Sequence, residues 1–106
     1  MTAIIDLGKN EAISKISMNV FDDEPAWIYL PIEIESFTSD DGINFTTLSK
    51  ISENEIRKVH GLIETKIDNR SARFIKVIAR NAGKIPDGKQ GSGNDAWLFV
   101  DEISVE

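Results

Sequence analysis

The sequence predicts an all-β fold, an antiparallel β-sandwich. Three observations predict it. Apolar residues gather in about seven short segments, mostly with the two-residue period of half-buried strands. Turn-forming Gly, Asp, Asn, Ser and Pro separate these segments at fairly regular spacing, as in sandwiches and barrels. A chain of 106 residues builds one hydrophobic core and has little material for a second, so residues 1–106 are expected to form a single domain.

The first segment is residues 3–7, closed by Gly8, Lys9 and Asn10. The second is residues 12–21, with Ile16, Met18 and Val20 on one face. Residues 22–26 are acidic and hold Pro25, which predicts an exposed loop. Residues 27–30 and 32–38 read as extended chain around Pro31, which excludes a helix there. Ser39, Asp40, Asp41 and Gly42 supply turn chemistry and lead into residues 44–48, completing a hairpin.

Residues 52–68 carry two patterns at once. Ser52 and Glu55 have capping-box spacing, and Ile56, Val59 and Ile63 recur at helical spacing. Val59, Gly61, Ile63, Thr65 and Ile67 also alternate, and Gly61 with the β-branched side chains favours a strand, preceded at most by one helical turn near residues 53–57. Residues 73–79 are apolar on both faces, as in a central strand. A long Gly-rich loop, residues 81–95, precedes a closing apolar strand over 96–100 and 103–105. Repeats, low-complexity tracts and interdomain linkers are absent from the sequence.

Composition narrows the function. A net charge of -6 repels phosphate backbones and argues against nucleic acid as a partner. No apolar run approaches bilayer-spanning length, and the N-terminus lacks the pattern of a signal peptide, so any export signal is expected upstream of Met1. Zero cysteines exclude disulfides and thiolate metal sites without fixing a compartment.

The segments IDLGK (5–9) and ISKISM (13–18) resemble the early core strands of discoidin, or coagulation factor type C, domains, which have a galactose-binding-like fold. SDDGINFTTL (39–48) is similar to that family's hairpin, ARFIKVIARN (72–81) to its penultimate core strand and WLFVDEISV (97–105) to its last. AWIYLPIEIE (26–35) and residues 81–103 are similar to the C-terminal module of bacterial β-hexosaminidase, or chitobiase-like, glycoside hydrolases. The resemblance implies a jelly-roll sandwich lacking its first strands, a C-terminal piece of a larger enzyme that is periplasmic, surface-bound or secreted. The hydrolytic carboxylates would lie in a separate catalytic domain of the same polypeptide.

The expected role is therefore non-catalytic: a carbohydrate-binding or accessory module whose loops, residues 22–27 and 81–95, shape a shallow site for a hexosamine- or galactose-type glycan. The alternative is a module that packs on the catalytic domain and stabilises it without binding sugar. Candidate carbohydrate-binding residues are Asp22, Asp23, Glu24, Trp27, Asn81, Lys84, Lys89 and Gln90. Trp27 offers a stacking face if exposed, whereas Trp97, among apolar neighbours, is expected in the core. Relatives carry an aromatic and a His where this chain has Gly88 and Lys89, which removes a stacking platform.

Other chemistries find no constellation. Asp101 and Glu102 are adjacent in a strand and point to opposite faces, so they do not form the facing carboxylate pair that glycoside hydrolysis requires. The resemblance offers Glu102 as a ligand for a structural calcium. Its partners from the N-terminal segment are missing, so a surface carboxylate is the favoured reading and no cofactor is expected. The acidic runs at 22–24 and 40–41 lack EF-hand spacing and read as solvated turns. His60, the sole histidine, is expected on a strand surface and forms neither a histidine-based zinc site nor a catalytic triad. Gly88, Gly91 and Gly93 have the wrong spacing for a phosphate loop.

Overall fold

The computed structural model describes residues 1–106 apart from His60, Pro86, Gln90 and Phe99, and apart from the side chains of Glu24, Val59, Asp68, Asn69, Asp101 and Glu102. Its strands are β1 (Thr2–Val20), β2 (Ile28–Tyr29), β3 (Glu33–Ser39), β4 (Thr46–Ser52), β5 (Leu62–Arg80), β6 (Trp97–Leu98) and β7 (Val100–Val105), with a short α-helix, α1 (Glu53–Val59), between β4 and β5. Five strands make an antiparallel sheet in the order β4-β3-β5-β1-β7, and β2 and β6 form a small parallel pair. The fold is the expected all-β sandwich, with one large layer and one small one.

Alternation explains the large layer. Ile16, Met18 and Val20 of β1, Ile34 of β3, and Ile75, Val77 and Ala79 of β5 are buried on its inner face. Leu30, Leu98 and the helical Ile56 close over them in the same cluster. Each such side chain removed from water contributes about 1.5–3 kcal/mol, which is what holds the layers together. The central position of β5 accounts for its two apolar faces, as its sequence predicts.

Three expectations are corrected. Gly8, Lys9 and Asn10 do not close a strand: β1 runs through them, and residues 7–10 bulge opposite Arg73 alone between the pairs Asp6–Phe74 and Glu11–Ala72. Gly8 enters the bulge at φ 86° and donates its N–H to the Asp6 carboxylate, so turn chemistry is spent inside a ladder that β5 holds on either side. The helical turn allowed near residues 53–57 is present but runs on to Val59, and the strand preferred over residues 52–68 begins only at Leu62, because Ser52 and Glu55 make a real capping box. Ser52 Oγ accepts from the Glu55 N–H at 3.4 Å, and Glu55 Oε1 accepts from the Ser52 N–H at 3.4 Å. Val59 accordingly belongs to α1 rather than to an alternating strand. Finally, the closing strand is two strands in two sheets, β6 against β2 and β7 against β1.

The hairpin β3–β4 is as read, although β4 begins at Thr46. Asp41 organises its turn, accepting from the N–H groups of Ile43 and Asn44, the Asn44 amide and the Ser39 hydroxyl. These donors hold its carboxyl far below the usual carboxylate range. Gly42, at φ 78°, lets the turn lie on the Phe74 ring, where an added Cβ would stand 3.2 Å from ring carbons.

Candidate functional site

The two loops singled out in the sequence meet. Asp23 exchanges backbone hydrogen bonds with Ile28, its carbonyl also accepting from Ala26, which folds residues 23–28 into a tight loop around a 3-10 turn (Glu24–Ala26). At its end Trp27 takes φ 68°, a left-handed conformation unusual for a bulky residue. Two contacts hold it there: its carbonyl accepts from the Trp97 N–H at 2.7 Å, and its indole lies so close on Gly91 that a Cβ there would overlap the ring. The Gly-rich loop thus packs directly against the residue 22–27 loop.

The Gly-rich loop is pinned at several points. Ile85 is buried and exchanges backbone bonds with Asn94 and Gly93, and Lys84 pairs with Asp95 at 2.9 Å. Asn81 is committed to the scaffold, its amide donating to the Ala96 carbonyl and accepting from the Gly83 N–H.

Between these loops and α1 lies a cleft of about 490 Å³. Leu30, Pro31, Ile32, Ala82 and Ala96 give it apolar walls, with Tyr29 among them, while Asp22, Glu53, Arg57, Lys84 and Lys89 supply the charges. Arg57 is held by Glu53 one helical turn earlier, at 2.7 Å. An apolar lining with a few convergent charged groups suits an amphipathic ligand such as a sugar ring, whose hydroxyls need donors and acceptors around an apolar face. The Tyr29 hydroxyl is itself buried, without a hydrogen-bond partner among the described residues.

Of the sequence candidates, Asp22, Lys84 and Lys89 line this cleft. Asp23, Trp27 and Asn81 do not line it, and each serves the loop framework instead. The side chains of Glu24 and Glu102 lie outside the described residues, as do Gln90 and His60 altogether. Trp97 reverses its expected place: it is 67% exposed, on the face of the β2–β6 pair opposite the one that Leu98 turns to the core. Its apolar neighbours are real, but the strand is only two residues long, and the sequence does not mark which face is covered.

Sequence reasoning missed Tyr29, Ile32, Glu53 and Arg57. The signal for the last two was present. Reading the Ser52–Glu55 capping box as a helix start places Glu53 and Arg57 on one helix face, one turn apart.

No protein-family profile and no curated protein matches the sequence. Solved structures do match in fold. The module CpGH89CBM32-5 of Clostridium perfringens, in complex with GalNAc-β-1,3-galactose, is similar at 22% identity and a TM-score of 0.57, over 74% of this chain and 53% of that one. A chitosan-binding module from a chitosanase/glucanase of Paenibacillus sp. IK-5 is similar at 12% identity and a TM-score of 0.61, over 93% and 61%. The C-terminal domain of a chitobiase from Bacteroides fragilis is similar at 21% identity and a TM-score of 0.54, over 99% and 64%. The chain thus spans between about half and two thirds of the length of these structures. The fold is the galactose-binding-like sandwich of such modules, resembling the chitobiase C-terminal domains.

Proposed function

We propose that this chain is a non-catalytic carbohydrate-binding accessory module, forming one domain, of an exported bacterial β-hexosaminidase- or chitobiase-like glycoside hydrolase. One observation carries the reading: loops far apart in sequence converge with α1 on a cleft with apolar walls and a charged rim. The fold of the carbohydrate-binding neighbours supports it. Its ligand is a hexosamine- or galactose-type glycan, with the sugar's apolar face on Leu30, Ile32 and the Tyr29 ring and its hydroxyls on Asp22, Arg57, Lys84 and Lys89. The module would act by tethering, raising the concentration of an attached catalytic domain at the glycan.

Affinity for a single sugar should be weak. At about 0.3 kcal/mol per non-hydrogen atom, a ligand of about fifteen atoms reaches a Kd of roughly 0.5 mM. Calorimetric or NMR titration with galactose, N-acetylglucosamine, GalNAc-β-1,3-galactose and chitobiose tests this. Saturable binding that Arg57→Ala weakens is expected; no binding to any of the four would end the proposal.

A second reading is favoured by Trp97, whose indole is left largely in water. A module that packs on its catalytic domain without touching sugar would cover such a group. It predicts that Trp97→Ser loosens the joined domains and that the wild-type module binds none of the four sugars.

A further inference from the structure

The outer face of the five-stranded sheet, opposite the core, carries a second arrangement. Lys76 stands there inside a ring of apolar side chains. Phe74 and Ile78 are two residues away on either side along β5, and Ile4 and Phe37 are its register partners on β1 and β3. The Phe45 ring lies 4.5 Å from Nζ and the Phe37 ring 4.8 Å, so the ammonium sits against two aromatic faces.

The cations nearest to Lys76 on this face are paired, whereas Lys66, further along β5, forms no ion pair among the described residues. Arg73 makes two bonds to the Asp6 carboxylate, Arg80 holds Glu33 and Glu35, and Lys50 holds Glu33. Lys76 forms no ion pair among the described residues and lies against the two rings. The apolar surface thus carries at its centre a positive charge with no counter-ion among the described residues, on a chain whose net charge is -6. Ile4 is 58% exposed, so the ring is open to a partner.

We infer that this face is a second ligand site, distinct from the cleft, which takes a uronate-bearing polysaccharide: the sugar carboxylate meets Lys76 while the apolar faces of the pyranose rings lie on Phe37, Phe45 and Ile4. Charge complementarity selects the anion, and the flat apolar surround selects an anion carried on an apolar-faced ring rather than a free ion. Three strands at about 4.8 Å spacing give a strip about 10 Å wide, room for roughly two sugar residues. A second copy of the chain fits less well, because a two-fold axis through the patch would bring two Lys76 ammonium groups together.

The test uses the whole chain in affinity electrophoresis through gels containing hyaluronan, polygalacturonate or alginate, with soluble chitin oligomers as the neutral comparison. Retardation by at least one polyuronate is expected, falling about tenfold in affinity in Lys76→Gln, since a charge-assisted contact is lost. Ile4→Glu, which sets a like charge against the ligand, should also lose it, and Arg57→Ala in the cleft should not. No retardation by any polyuronate overturns the inference, as does retardation that Lys76→Gln leaves unchanged. Concentration-dependent dimers of the wild-type chain that Lys76→Glu abolishes would assign the face to protein contact instead and overturn it equally. Neutral-sugar binding in the cleft stands or falls by its own titration, so the two readings fail separately.

Discussion

At Gly91 a single missing Cβ decides how the two recognition loops meet. The Trp27 indole occupies the space a Cβ would fill, and Gly91 itself stands at φ 79°. Gly91→Ala therefore meets both a steric and a conformational obstacle, and should cost about 1–3 kcal/mol in urea unfolding. It should also weaken sugar binding, since Lys89, two residues away, lines the cleft. An unaltered midpoint would show that the indole moves aside freely. Asp41 gives a prediction in pH. Its carboxyl is depressed by turn N–H donors in the folded chain and titrates near 3.8 when those donors are absent. A depressed folded value stabilises above the unfolded one, and that contribution fades as pH falls below about 3.8. Asp41→Asn should thus be less stable than wild type by a constant margin above pH 5, and the margin should shrink steadily in more acidic buffer. A margin independent of pH down to 2 would contradict the charged hydrogen bonds.

Among the elements, α1 depends most on its surroundings, because seven residues are too few for a helix to stand alone in water. Ile56, fully buried, ties it to the sheet, so Ile56→Ala should cost about 2–5 kcal/mol. Since α1 also brings Glu53 and Arg57 to the cleft, the same variant should lose sugar affinity although Ile56 touches no ligand. Affinity retained in a destabilised but folded Ile56→Ala chain would place the binding groups elsewhere. This element also shows where the sequence could be read and where it could not. Strands that bury one face wholly, such as the Ile16, Met18, Val20 run, declare themselves by alternation, and so does the Asp41 turn by its side-chain chemistry. Residues 52–59 satisfied two periods at once, and only the partner surface that buries Ile56 decides between them. The loops were legible as loops, and three of their candidate residues reach the cleft. That Trp97 faces water depends on which layer covers a two-residue strand, and that Trp27 faces Gly91 on how two distant loops meet, information that no local pattern contains.

Over the whole molecule the chain is drawn out rather than round, 48 Å by 25 Å by 19 Å, with a radius of gyration of 15.0 Å where about 13 Å is ordinary for this length. The cause is the ribbon of β1 and β5, nineteen residues each, paired along most of their lengths from Thr2–Ile78 to Asn19–Leu62. Their register cannot form until more than forty intervening residues have been gathered, and among the described strands of the five-stranded sheet only β3 and β4 are joined by a short turn. Loop-closure entropy is therefore lost before most of the hydrophobic gain arrives, which places such a chain among slow folders. Stopped-flow refolding monitored by tryptophan fluorescence should show relaxation in milliseconds to seconds. Gly42→Ala, which strains the hairpin turn against Phe74, should slow it if that hairpin is the early structure on which β5 and then β1 assemble. The opposite result, a destabilised Gly42→Ala chain that folds at the wild-type rate and only unfolds faster, would show that the long β1–β5 ribbon forms first and the hairpin docks afterwards.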